Sequence, residues 1–153
     1  MLDQLRGAGI SIQDEDEDTK VAETSQLCKV KQSQVNSVYG WGRNEKGELS
    51  ADAQSEFTVD PLPLSLLGSS GALQILKVAA GNNHVLMITK GNQLYAMGSN
   101  EFGQLGISDL NCSALSKPSL INDLVEPQEV YCGADSSYCI TLDGNLYSWG
   151  CNL

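Results

Sequence analysis

The chain has 153 residues, with 19 acidic against 9 basic side chains, a formal charge of −10 and a sequence pI near 4.3. That balance disfavours nonspecific attachment to nucleic acid or to an anionic membrane surface. There is no apolar run of about 18 residues to cross a bilayer, and the start, MLDQLRGAGISIQDEDEDTK, has neither the basic head nor the apolar core of a secretory signal. Five cysteines (Cys28, Cys112, Cys132, Cys139 and Cys151) show no Cys-x-x-Cys spacing and read as structural thiols rather than as a zinc site or a disulfide framework. The expectation is an intracellular protein without membrane insertion, in the cytoplasm by default.

Residues 1–33 contain five consecutive acidic residues, Asp14 to Asp18, which repel one another and stay hydrated. They are expected to form an acidic, flexible N-terminal segment ahead of a repeat region spanning 34–153. In that region Val35, Ser37, Tyr39 and Trp41 alternate as in a strand, and a polar turn from Arg43 to Ser50 follows, with Gly47 inside it. The stretch from Ala51 to Ala72 carries Pro61 and Pro63, which are incompatible with a central strand. Its counterpart from Ile107 to Glu126 carries Pro118, 55 residues after Pro63. Both are read as variable connections. A strand is expected after each, over Leu73 to Ala80 and over Glu129 to Cys132. VLMITKGNQLYAMG and CITLDGNLYSWG are hairpins, because Lys90-Gly91-Asn92 and Asp143-Gly144 supply positive φ between runs rich in β-branched and aromatic residues.

These parts recur. Gly81 falls on Gly133 and Leu94-Tyr95 on Leu146-Tyr147 after 52 residues, and Gly103 falls back on Gly47 after 56. A period near fifty residues built of short strands defines propeller blades. The fold class is therefore all-β, a partial β-propeller of antiparallel blade-like sheets. About two repeats and the start of a third are present, too few for a ring of about four to eight blades. The expectation is a piece of a longer propeller, truncated at its C-terminal end.

The repeated positions read as structural. Tyr39, Tyr95 and Tyr147, and likewise Trp41, Met97 and Trp149, are expected to fill space between sheets. Gly42, Gly98 and Gly150 follow those strands where close approach or positive φ is needed. Asn44, Asn100 and Asn152 stand two residues further on as turn braces. His84 aligns with Ser136, a polar position suited to bonding an adjacent turn or blade. One histidine with dispersed acids makes neither a triad nor a metal motif, so catalytic, cofactor and metal residues are all read as none, and the chain as no enzyme.

The segments Gly81-Asn82-Asn83-His84, Leu94 to Gly106, Val38 to Leu49 and Asp143 to Asn152 resemble repeats of the regulator of chromosome condensation family, over residues 37 to 153. The resemblance implies a seven-bladed ring. It also implies one of several jobs: nucleotide exchange on a small nuclear GTPase, chromatin binding, a module within a ubiquitin ligase or kinase, or a cilium-associated scaffold. The leading functional expectation is a non-catalytic protein-interaction or scaffold module of a larger protein. The alternatives are a guanine nucleotide exchange factor for a small GTPase, or a targeting module attached to a ubiquitin ligase or kinase. Partners are expected to be proteins, including a small GTPase or a large assembly, with the nucleus or cilium as further locations. The expected contact loops run from Asp52 to Leu67 and from Gly106 to Asp123, with Asp52, Glu56, Asp109 and Lys117 as the exposed charged residues.

Overall fold

The computed structural model describes residues 9–13, 37–49, 56–64, 66–68, 71–109, 111–122, 124 and 126–152. Three antiparallel sheets follow one another along the chain. Blade 1 holds β1 (Gly9–Gln13), β2 (Ser37–Arg43) and β3 (Phe57–Leu64), in that order across the sheet. A short pair follows, β4 (Leu67–Gly68) with β5 (Gly71–Ala72). Blade 2 is the four-stranded meander β6 (Ile75–Ala80), β7 (His84–Thr89), β8 (Leu94–Ser99) and β9 (Ala114–Leu120). Blade 3 holds β10 (Pro127–Cys132), β11 (Ser136–Thr141) and β12 (Leu146–Gly150).

The blades repeat in register as well as in order. His84 opposes Gly98 and Val85 opposes Met97, while 52 residues on Ser136 opposes Gly150 and Ser137 opposes Trp149. A bulge between Ile75 and Lys77 recurs between Pro127 and Glu129, and one between Gly40 and Gly42 recurs between Ala96 and Gly98. A bulge held at the same repeat position is part of the blade's design, re-aiming the strand that follows it.

Blade 2 is sandwiched, and the pleat explains how. Every residue of β7 and β8 is buried. Successive side chains on a strand point to opposite faces, so Val85, Met87, Tyr95 and Met97 enter one core with Val38 of blade 1, while Leu86, Ile88, Leu94 and Ala96 enter a second core with Val130 and Cys139 of blade 3. The two apolar seams between blades are thus the two sides of a single hairpin. Each fully buried aliphatic side chain contributes about 1.5–3 kcal/mol.

Three expectations need correction. The stretches read as loops, 52–67 and 106–123, contain the strands β3 and β9. Pro61, Pro63 and Pro118 are admitted because β3 and β9 end their sheets, and an end strand has an edge that requires no N–H. The N-terminal segment is not wholly a tail, since Gly9–Gln13 pairs with β2 as β7 pairs with β8, Gly9 opposing Trp41 as Val85 opposes Met97. The acidic run Asp14 to Asp18 lies outside the described residues. The repeated aromatic positions do not share one environment: Tyr95 is buried whereas Tyr147 is exposed, and Met97 is fully buried whereas Trp41 and Trp149 are half-buried. Among the described residues β12 has no outer strand beside it as β8 has β9, and no sheet precedes blade 1 to cover the face of β2 that carries Trp41.

Candidate protein-interaction face

At one end of the blades the chain turns through the same polar loop twice. Asn44 aims Oδ1 at the Leu49 amide (2.8 Å), and Asn100 aims its own at the Leu105 amide (3.1 Å). The side-chain oxygen stands in for a backbone acceptor and closes the loop. Asn100 Nδ2 also donates to the Cys112 carbonyl (2.9 Å). Inside each loop a second side chain accepts from the backbone: the Lys46 amide donates to Glu48 Oε2 (2.8 Å), and the Phe102 amide to Gln104 Oε1 (2.9 Å). Leu49 and Leu105, fully buried, plug the loops into the protein. The tips are held firmly and face outward with different chemistry, Lys46 in blade 1 where blade 2 has Phe102, which is 49% exposed. Lys46 Nζ reaches across to the Glu101 carboxylate, joining the two loops. The third equivalent of the asparagines, Asn152, is exposed.

The inner turns, residues 81–83 between β6 and β7 and 133–135 between β10 and β11, lie at the same end and rest directly on the neighbouring strands. Ser99 N–H donates to the Asn83 carbonyl (2.6 Å) and Cys151 N–H to the Asp135 carbonyl (2.8 Å). This approach requires glycine one residue earlier. A Cβ at Gly98 would sit 2.3 Å from the Asn83 oxygen, and one at Gly150 2.6 Å from that of Asp135, with φ of 103° and 99°. Asn82 N–H donates to the Ala134 carbonyl (2.9 Å), so the inner turns of blades 2 and 3 are joined as well.

His84 belongs to the second seam. The Ser137 hydroxyl donates to the Gln104 carbonyl (2.7 Å), so its oxygen accepts from His84 Nε2–H (3.0 Å), which assigns the neutral Nε2 tautomer. Trp149 Nε1 donates to that same Gln104 carbonyl (2.9 Å). His84 Nδ1 is buried without a partner. Burial pushes the imidazole below its ordinary range, with Asp135 and the Ser136 backbone opposing. His84 and Ser137 do not form a base and nucleophile, because the hydroxyl is fully buried and directs its proton at a main-chain oxygen. Burial likewise raises the Cys132 thiol to about 12 and raises Cys139, so both stay protonated as small hydrophobes.

The expected contact residues are dispersed. Glu56 is exposed beside the Asn44 loop, its carbonyl accepting from the Asn44 amide (2.8 Å). Asp109 is exposed in the β8–β9 connection and folds it through the Asn111 amide (3.0 Å). Lys117 is exposed but stands within β9 rather than in a loop, and Asp52 lies outside the described residues. The reading of the sequence missed Glu48, a carboxylate only 1% exposed. Its alignment with Gln104, an uncharged amide in the equivalent place, was the available signal. At the opposite end a cleft of about 210 Å³ lies between Leu73, Gln74, Lys90 and Tyr95, below the roughly 300 Å³ where ligand pockets begin. Among the described residues no group of three or more His, Cys, Asp or Glu side chains is placed to hold a metal ion, and no helix is long and apolar enough to cross a membrane.

Successive small sheets joined along one chain and stacked through apolar seams define a segment of a β-propeller. Family models described as the regulator of chromosome condensation (RCC1) repeat match residues 36–88 and 92–140, and again 75–104 and 128–153. The chain belongs to that repeat family. It is 34% identical over 114 residues to the Xenopus laevis protein RCC2 homolog, covering 74% of this chain and 21% of that protein. It is 33% identical over 126 residues to a Dictyostelium discoideum bifunctional serine/threonine-protein kinase/NEDD4-like E3 ubiquitin-protein ligase, covering 75% and 7%. It is 33% identical over 120 residues to the Saccharomyces cerevisiae guanine nucleotide exchange factor SRM1, covering 74% and 24%. Among solved structures, yeast RCC1 (Prp20) bound to Kap60 shares the fold with a TM-score of 0.65 at 24% identity, over 75% of this chain and 28% of that one. The chain thus spans about a fifth of the curated RCC2 relative it matches.

Proposed function

We propose that the chain is a non-catalytic protein-docking segment of an RCC1-type propeller, and that it contacts its partner through the end carrying the Asn44 and Asn100 loops. The observation that carries this reading is the pairing of equivalent braces with non-equivalent tips: the same Asn-to-amide bonds hold Lys46 outward in one blade and Phe102 in the next. A rigid backbone that presents varied side chains loses little entropy on binding. Glu56 and Asp109 flank this end, and Lys117 extends the proposed contact along the outer strand; Asp52, outside the described residues, joins the proposal on the sequence alone. The test is capture of partners by the full-length polypeptide with Phe102→Ala and with Lys46→Ala. An exposed aromatic anchor that becomes buried on binding contributes about 2 kcal/mol, roughly thirtyfold in affinity. Unchanged capture by both variants rejects this end as the docking surface.

Within that reading, exchange on a small GTPase is proposed ahead of a passive scaffold, because a relative named as a guanine nucleotide exchange factor is 33% identical to this chain over 120 residues, 74% of the chain. Exchange of this kind needs no covalent step, only side chains that stabilise the nucleotide-free partner. It also shifts the proposed location from the cytoplasm toward the nucleus, in keeping with a family named for chromosome condensation. A captured GTPase should release its nucleotide faster with wild type than with Phe102→Ala. Binding without acceleration returns the role to scaffolding or to targeting an attached enzyme, as the kinase and ligase relative suggests.

A further inference from the structure

We propose that the forward face of blade 3, the one turned away from blade 2, docks a second copy of this chain head to tail, against the rear face of blade 1 in that copy. Each seam within the chain joins two unlike halves. The forward half on blade 2 is Leu86, Ile88 and Leu94, which share a core with Val130 and Cys139 of blade 3. On blade 3, 52 residues later, Tyr138, Ile140 and Leu146 hold the same strand positions. Ile140 opposes Leu146 as Ile88 opposes Leu94, and Tyr131 stands opposite Tyr138. Opposed residues share a face of the sheet, so blade 3 carries a forward half of its own. Tyr131, Tyr138 and Leu146 are exposed there, and no sheet covers them among the described residues.

The rear half recurs in the same way. On blade 2, Tyr95 and Met97 meet Val38 of blade 1. The blade 1 loop also settles on blade 2: a Cβ at Gly47 would stand 2.6 Å from Ser116 Cα on β9, and Asn83, oriented by its partners, donates to Glu48 Oε1 (3.2 Å). On blade 1 itself, Tyr39 and Trp41 take the places of Tyr95 and Met97. Thr58 opposes Gly42 as Leu115 opposes Gly98, so Val59 takes the place of Ser116. Where Ser116 lies under a loop, Val59 is 78% exposed. One chain therefore bears both halves of a seam it already forms twice, and a second copy supplies the mate of each. A repeat array that stays unassociated ends in polar caps. These faces end instead in Tyr138, Leu146 and Val59, and exposed apolar surface of this kind marks a contact site. Because the halves differ, the contact is heterologous, and each copy that docks through one face leaves its other face for a further copy.

The test is sedimentation equilibrium of the 153-residue chain and of two variants, each placing a charge in one half: Leu146→Asp on blade 3 and Val59→Asp on blade 1. Both side chains are exposed, so the fold does not depend on them, and far-ultraviolet circular dichroism checks that it is kept. Wild type should exceed 16.4 kDa and grow with concentration. Each variant alone should stay at 16.4 kDa, because all its copies lack the same half. Mixed in equal amounts, the two should form pairs of twice that mass and nothing larger, since one variant keeps an intact rear face and the other an intact forward face. If Leu146→Asp does not fold, Tyr138→Asp blocks the same half, and Val59→Lys likewise replaces Val59→Asp. A monomeric wild type or a mixture that stays monomeric overturns the proposal. So does self-association of either variant, which for Val59→Asp would mean that blade 3 pairs with itself.

Discussion

The charge state of the His84 imidazole bears on the seam between blades 2 and 3, where its Nε2 meets the Ser137 hydroxyl. His84 is neutral and buried, with its folded value below the ordinary 6.5, so its contribution is complete above that pH and is lost as pH falls through the window beneath it. Thermal unfolding should therefore weaken from pH 7 to pH 5 at this seam, and His84→Gln should flatten that decline; an unchanged slope would show that the ring is not the titrating group. Ser137→Ala strands the Nε2 donor of His84 and removes one donor from the Gln104 carbonyl, for an expected loss of about 1–3 kcal/mol in denaturant unfolding. Glycines at loop positions separate strain from clash. Gly98→Ala meets the Asn83 oxygen at positive φ and should cost ~3 kcal/mol or more. Gly103→Ala, with nothing within 4 Å, should cost only the ~1–2 kcal/mol of a left-handed alanine.

At the level of strands, equivalent residues test how far context overrides sequence. Leu94 and Leu146 occupy the same repeat position, yet one is 1% and the other 67% exposed. Leu94→Ala should destabilise by about 2–5 kcal/mol and Leu146→Ala by less than about 0.5 kcal/mol, both read from chemical denaturation. Equal losses would mean that the two hairpins share one environment in solution. The same contrast marks what could be read in advance. The hairpins around Gly91 and Gly144 were legible because turn chemistry is local, and the Asn44 and Asn100 braces because they recur at a fixed interval. The outer strands were hidden by their prolines, whose tolerance depends on having an unpaired edge. β1 was hidden because its partner lies beyond a run of acids, where five residues carry too little pattern of their own. Glu48 was missed because a carboxylate reads as surface until another blade closes over it.

For the molecule as a whole, blade 3 presents Tyr131, Tyr138, Leu142, Leu146 and Tyr147, each at least 37% exposed. Apolar surface of this extent favours association, so sedimentation of the 153-residue chain should show mass that grows with concentration. A monomer at every concentration would contradict this. The bonds to Gln104 bear on how such repeats drift over generations. Ser137 and Trp149 hold the carbonyl of residue 104 rather than its side chain. A codon change there replaces the amide but leaves the oxygen where it was, so natural variation can explore new chemistry at that position without forfeiting the join between neighbouring blades.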